Sequence, residues 1–274
     1  MKNCIIGYTG TVGTNIIKTY NIFDEYYNTT NIDTINDNYN IILFCGLTGH
    51  VGNANKNNIK DEENVNFFLT KLKKIKCNKF ILISTINVYP DLNSKFTEYE
   101  NLDIKNSIDY YGKHRLIFEK FIIDTYENYH ILRLPSIYGD KLNKGILYDL
   151  LNQNYLENIC IYDTLQFYDL STIKDDIDYV CNNNIKILNL VSEPITVKDI
   201  ITTIFTDYKI INDLQIEYKN NIINLKKRQP KIMNICSSYF EKNYIYNKEL
   251  SIKKINNFVE NYKTVNVFSI SFST

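Results

Sequence analysis

The sequence predicts an α/β fold built on a doubly wound parallel sheet, followed by a smaller mixed lobe. Three observations carry that expectation. Apolar runs of strand length occur at residues 4–6, 40–45, 80–84 and 129–134, helical periodicities lie between them, and a glycine-rich turn directly follows the first run. A strand covered on both faces reads as an unbroken apolar run, and strand–helix alternation closes into a parallel sheet with right-handed crossovers.

Each element has its own signal. After the first run, Val12, Ile16 and Ile17 follow at helical spacing. A second strand is expected over residues 25–30. Residues 62–75 are apolar at 65, 67, 68, 69, 72 and 75, a helical pattern, and a long helix over 110–126 takes its apolar face from Leu116, Phe118, Phe121 and Ile122. Beyond Gly139 the pattern mixes. Residues 146–151 and 171–180 read as helices and 186–191 as a strand. Residues 195–205 read as a helix capped by Thr196, whose hydroxyl can accept an early backbone N–H. The stretch 207–247 is irregular and tyrosine-rich, 250–262 reads as a last helix, and 266–272 alternates apolar and polar like a terminal strand or tail. The expected division is a first domain over 1–160 and a mixed lobe over 161–274 that returns to the sheet near 171–191.

Composition narrows the function classes. Lysine plus arginine equals aspartate plus glutamate at 31 each in 274 residues. A neutral chain has no long-range field for nucleic acid or an anionic membrane, so neither is an expected partner and small-molecule chemistry is. The six cysteines include no C-x-x-C pair, which gives neither a zinc site nor a disulfide framework and suits a reducing compartment. Met1-Lys2-Asn3 leads straight into the first strand, leaving no room for a signal peptide. No apolar stretch approaches the ~20 residues that span a bilayer. A cytoplasmic protein is expected.

The turn spells Gly7-Tyr8-Thr9-Gly10-Thr11-Val12-Gly13, or G-x-x-G-x-x-G, between a strand and a helix. Glycines let the backbone turn tightly and let a diphosphate approach closely, and the helix start offers free N–H groups and its positive dipole end. The sheet is therefore expected to be Rossmann-type, with Gly7, Thr9, Gly10, Thr11, Val12 and Gly13 lining a dinucleotide. An acidic residue closing the second strand would favour NAD. That region reads Tyr27-Asn28-Thr29-Thr30-Asn31-Ile32-Asp33, and no arginine precedes Arg115. The cofactor is read as NAD or NADP with a lean to NAD, and Asn31 is placed at the ribose.

Two further segments, Ser84-Thr85-Ile86-Asn87-Val88-Tyr89 after a buried strand and Tyr111-Gly112-Lys113-His114-Arg115 opening a helix, complete a pattern. With the glycine turn, Phe44-Cys45-Gly46, Asn64-Val65 and Arg133-Leu134-Pro135-Ser136-Ile137-Tyr138-Gly139, the chain resembles the extended short-chain dehydrogenase/reductase family, which includes sugar-nucleotide epimerases, dehydratases and reductases. The resemblance is clear over about residues 1–200, with weaker echoes at Gln166-Phe167-Tyr168-Asp169 and Leu188-Asn189-Leu190.

That resemblance implies roles. Thr85 would hold the reacting oxygen and Tyr111 would transfer its proton. A tyrosine with an ordinary pKa near ~10 needs a nearby cation to act near neutrality. Most members place a lysine four residues after the tyrosine, whereas this chain has Arg115, whose planar fork differs from an ammonium. Gly46, Tyr111, Arg115 and Pro135 would border the nicotinamide and its ribose, and Asn87, Gln166 and Tyr168 the substrate. The implied activity is an NAD(P)-dependent reductase or epimerase acting on a nucleotide-linked sugar, and a homodimer is implied by the same analogy. Ile86-Asn87 stand where dehydratases carry an acidic pair, which disfavours dehydration. The competing reading is a dinucleotide-binding regulatory or scaffold protein without turnover, suggested by Arg115. No histidine/carboxylate cluster has metal spacing, so no metal is expected. The groups 61–63 and 175–176 read as solvated faces or caps, His50 as a surface residue of the loop 46–52, and His130 as structural.

Overall fold

The structure, a computed structural model, describes residues 1–205 and 229–271, with side chains as far as Thr264. Residues 207–228 of the tyrosine-rich stretch lie outside the described residues.

Six parallel strands form the central sheet: β1 (Asn3–Ile6), β2 (Glu25–Tyr27), β3 (Asn38–Phe44), β4 (Lys76–Thr85), β5 (Tyr129–Leu134) and β9 (Ile187–Asn189), in the order β2-β1-β3-β4-β5-β9. The chain runs outward from β1 to β2, then returns past β1 to β3 and continues the other way. This reversal makes the β1/β3 boundary the switch point, where ligands of open α/β sheets bind at the carboxyl ends of the strands.

Alternation along the strands supplies both cores. Ile6, Ile42, Phe44, Phe80 and Leu82 point to one face and meet Val65, Phe68 and Leu72 of α3 (Asn58–Leu72) and Phe118 and Ile122 of α4 (Tyr110–Thr125). Ile5, Leu43, Ile81, Leu132 and Leu188 point to the other and meet Ile16 of α1 (Thr11–Thr19) and Ile173, Ile177 and Val180 of α6 (Ile173–Asn182). Such period-two alternation is what a sheet covered on both sides requires.

A separate core forms the smaller lobe. It draws on α5 (Ile146–Asn152), α7 (Val197–Ile204) and α8 (Lys248–Ser271), with Leu147, Leu150, Ile200, Ile204, Ile255 and Val259 among its buried members. Two small sheets border it: β7 (Thr164–Leu165) against β10 (Ile195–Thr196), and β6 (Ser136–Tyr138) against β8 (Phe167–Asp169). This core begins at Tyr138 and Leu142, ahead of the boundary read at residue 160. Thr196 caps α7 as expected, its Oγ1 accepting the Asp199 N–H at 3.1 Å.

Three elements differ from the sequence reading. β2 stops at Tyr27 because the Asn31 amide folds back on it, accepting the Asn28 N–H at 2.8 Å and donating to the Tyr26 carbonyl at 2.9 Å. The helix expected from residue 62 begins at Asn58, with a short helix α2 (Val51–Lys56) before it. Residues 266–271 continue α8 instead of forming a strand or tail, since no glycine or proline after Lys248 interrupts the helical hydrogen bonds. Among the described residues no helix is long and apolar enough to cross a membrane.

A buried polar network ties the lobe to the sheet. Arg133 on β5 makes a two-pronged contact with Glu119 on α4 (Nη2 to Oε2 at 2.6 Å) and donates to the Tyr89 hydroxyl at 2.9 Å. Burial alone would lower the Arg133 pKa, but the Glu119 charge, Tyr89 and the hydrogen bonds to both together outweigh it and raise it. Asn189 donates to the same Tyr89 oxygen at 2.7 Å and to the Cys236 carbonyl at 2.8 Å, while Glu98 accepts from Asn189, Ser237 and Ser238. Removing one partner of a buried ion pair strands the other charge. Glu119→Gln should therefore lower the unfolding free energy by about 3–5 kcal/mol, read from urea denaturation, and a loss within experimental error would show that Arg133 is stabilised elsewhere.

Candidate active site at the switch point

The glycine turn sits where β1 and β3 end. Gly7 has φ +97°, and a Cβ on it would lie 2.6 Å from the Cys45 carbonyl and the Gly46 Cα. A Cβ on Gly13 would overlap the Gly7 carbonyl oxygen and come within 2.6 Å of the Tyr8 Cα. Both glycines are thus demanded by the packing of α1 on β1 and β3. Gly10 is different: a Cβ there would meet only the Gly7 oxygen, at 3.6 Å. Gly10 is also the N-cap of α1, whose first turn has neither a side-chain cap nor an acidic residue. The packing leaves Gly10 unexplained.

The neighbours of this turn fall as follows. Thr9 and Gly10 are exposed, Thr11 donates its hydroxyl to the Lys141 carbonyl at 3.2 Å, and Val12 packs against the core. Gly46 is half-buried against Ile6 and Phe44. Asn31, expected at the ribose, spends its amide on the backbone around β2, and Asp33 is paired with Lys71.

The second half of the site lies where β4 and α4 meet. Thr85 ends β4 and is buried; its Oγ1 accepts the Asn87 N–H at 3.2 Å and donates to Asn87 Oδ1 at 3.1 Å. A Cβ on Gly112 would overlap the Asn87 carbonyl oxygen, so the start of α4 presses on the turn after Thr85. Asp109 caps α4 by accepting the Gly112 N–H at 2.8 Å, and Asn55 accepts the Tyr111 N–H at 2.9 Å. These contacts fix Tyr111 close enough to Thr85 for the Thr85 hydroxyl to act on its phenol. Tyr110 is half exposed to solvent. Pro135 follows β5 and is half-buried.

Arg115 does not lie on the surface. Its guanidinium carbon is 4.1 Å from the centre of the Tyr111 ring, and the side chain is 3% exposed. Nη1 is bound to Asp61 and Nη2 to the Thr48 carbonyl, while Nε is buried without a partner among the described residues. Asp61 Oδ2 also takes His114 Nδ1 at 2.7 Å. Asp61, read from the sequence as part of a solvated face or a cap, is buried because α3 turns it inward with Val65, Phe68 and Leu72. That 4-3-4 spacing in the sequence was the signal for it. His114 had no signal beyond its place next to Arg115.

Two expected substrate contacts are engaged inside the protein. Gln166 is fully buried; its amide donates to the Ser192 and Ile235 carbonyls at 2.8 Å each and accepts the Ile235 N–H at 2.9 Å. Tyr168 is fully buried in the core and donates to Asp176 Oδ2 at 2.6 Å. Gln166 ties its strand end to residues 192 and 235, and Tyr168 ties β8 to α6 in the core of the central sheet. Asn87 alone of the remaining substrate candidates stays half-exposed beside Thr85. His50 caps α2 and His130 binds the Ile185 carbonyl.

The geometry defines an open, Rossmann-type sheet with an uncapped helix start at α1 and a Thr85–Tyr111–Arg115 cluster where β4 meets α4. No protein-family model matches the chain, and no curated protein matches it in sequence. Its fold does match solved structures. The dTDP-4-dehydrorhamnose reductase of Yersinia enterocolitica superposes with a TM-score of 0.64 at 14% identity, covering 94% of this chain and 98% of that one. The UDP-glucose 4-epimerase of Thermotoga maritima, solved with UDP-glucose, gives 0.63 at 12% identity over 97% and 99%. The dTDP-4-dehydrorhamnose reductase of Bacillus anthracis, solved with NADP, gives 0.58 at 13% identity over 95% and 99%. At such identities the likeness establishes a shared fold across the whole length.

Burial raises the Tyr111 pKa, and the Arg115 charge and the Thr85 hydrogen bond oppose that rise. Burial also pushes Tyr89 up to about 12 from 10.0 and Cys45 up to about 12 from 9.0. Between pH 9 and pH 12 the unfolded chain releases these protons while the folded chain keeps them, so stability present at neutral pH is lost as pH rises. Urea midpoints should fall steadily from pH 9 upward, and a flat profile to pH 11 would contradict these shifts.

Proposed function

We propose that this protein is an NAD(P)-dependent reductase or epimerase acting on a nucleotide-linked sugar. The observation that carries the reading is the meeting of Thr85 at the end of β4 with Tyr111 and Arg115, one turn apart on α4, in a sheet whose α1 start at Gly10 is uncapped. The sugar-nucleotide reductases and the epimerase that share its fold support the substrate class.

A nicotinamide dinucleotide held by Gly7, Gly10, Thr11 and Gly13 would supply the hydride donor or acceptor. The remaining chemistry belongs to the chain. The Thr85 hydroxyl orients the substrate oxygen. Tyr111 gives or takes the proton at that oxygen, and Arg115 over its ring stabilises the tyrosinate that results. The buried setting strengthens that cation's effect while excluding water from the proton path. Arg115 also has one unspent donor, Nε, for a cofactor hydroxyl. NAD is favoured over NADP on the lack of an arginine before Arg115.

The test pairs the wild type with Tyr111→Phe, each incubated with NAD, NADH, NADP or NADPH and a panel of UDP- and dTDP-hexoses and their 4-keto forms. Chromatography resolves the sugar products. The wild type should convert at least one substrate, with cofactor consumption for a reductase and none for an epimerase. Tyr111→Phe should bind the dinucleotide equally well and lose about 10²–10⁴-fold in rate. Dinucleotide binding by the wild type with no conversion across the panel would favour a non-catalytic binder.

A further inference from the structure

The loop after β6 is fastened to α1. Asn15 donates to the Asp140 carbonyl at 2.8 Å and accepts the Asp140 N–H at 3.0 Å, Lys18 pairs with Asp140, and Thr11 bonds the Lys141 carbonyl. This fastening carries Lys144 across the mouth of the cleft to the loop after β3, where a Cβ on Gly49 would lie 3.4 Å from Lys144 Nζ. The side chain is half-buried, and among the described residues its ammonium has no ion pair and no hydrogen bond. Burial and then the nearby positive charge of Arg115 lower its pKa. The Arg115 charge is thus close enough to act on the Lys144 ammonium, and the buried Nε of Arg115 also lacks an acceptor among the described residues. An unpaired, partly desolvated ammonium beside another cation is costly, and an anion between the glycine turn and Tyr111 relieves that cost.

We infer that Lys144 is a ligand of a bound diphosphate, reaching into the cleft from the β6–α5 loop. The inference rests on the oxidoreductase reading for the source of that group, which is either the dinucleotide or the nucleotide of the sugar substrate. A lysine serves a diphosphate as a mobile point charge rather than as a fork, which suits a residue on a loop between the sheet and the lobe.

The test is calorimetric titration of the wild type, Lys144→Gln and Lys144→Arg with three probes: NADH, UDP-glucose and inorganic pyrophosphate. Lys144→Gln should lose about tenfold in affinity for at least one probe, the order expected for one charge-assisted contact, with its unliganded melting temperature unchanged and Lys144→Arg close to wild type. Weakened NADH binding identifies the dinucleotide as the source, and weakened UDP-glucose binding identifies the substrate. Unchanged affinity of Lys144→Gln for all three probes overturns the assignment, as does an equal loss in Lys144→Arg accompanied by a lower melting temperature. If pyrophosphate binds through Lys144 but neither NADH nor UDP-glucose binds the wild type, the site stands and the oxidoreductase reading falls. Binding of no probe by the wild type overturns both.

Discussion

The rest of the structure depends on the near-contact of three backbones at the end of β1. Gly13 on α1 rests on Gly7, and Gly7, in a left-handed conformation, rests on Cys45 and Gly46 at the end of β3. Any side chain at either glycine drives these elements apart. The approach sets α1 at a fixed height above the sheet and aims its uncapped start across the switch point. It also fixes how far the β6–α5 loop, bonded to Thr11 and Asn15, reaches over the cleft. A second close approach, Gly112 on Asn87, does the same for α4. The distance between the two helix starts is therefore set by backbone packing, and the side chains that would do chemistry lie between them.

Arg115 shows how the interior compensates for an unusual residue. A guanidinium is bulkier than the lysine expected of the resembled family, and burying it without counter-charge would be prohibitive. Asp61 supplies the charge, His114 shares the same carboxylate oxygen, and the Thr48 carbonyl takes a second N–H. This arrangement keeps the cation over the Tyr111 ring without exposing it to water, so its effect on the phenol is weakly screened. The same partners hold both ends of the fork, and Nε has no partner among the described residues.

The sheet, its two helical layers and the glycine turn were legible because their signals are local: unbroken apolar runs, helical stripes and a motif bounded by the right elements. Thr85, Tyr111 and Arg115 were legible only jointly, through their order along the chain. What escaped depended on contacts far apart in sequence. Asp61 sits in an acidic run with Glu62 and Glu63 that reads as solvated, although its spacing to Val65 already placed it on the buried stripe. Gln166 and Tyr168 were read as substrate contacts through a weak echo of the resembled family, and backbone carbonyls 26 and 69 residues away and an aspartate on α6 take their polar groups. Lys144 carried no signal at all, since its position depends on how Asp140 and Lys141 are tied to α1.

The central claim is that the space in front of Gly10 exists for a dinucleotide and not for the fold. It is tested most directly by titrating NADH and NADPH into the wild type and Gly10→Val, with thermal unfolding of each protein alone. A valine Cβ at Gly10 meets only one atom within 4 Å, and the backbone there, at φ −75° and ψ 169°, accepts any residue. The account predicts saturable dinucleotide binding by the wild type, and a variant that melts at the same temperature yet no longer binds. A wild type that binds neither dinucleotide at millimolar concentration, or a Gly10→Val protein that binds as the wild type does, would contradict it.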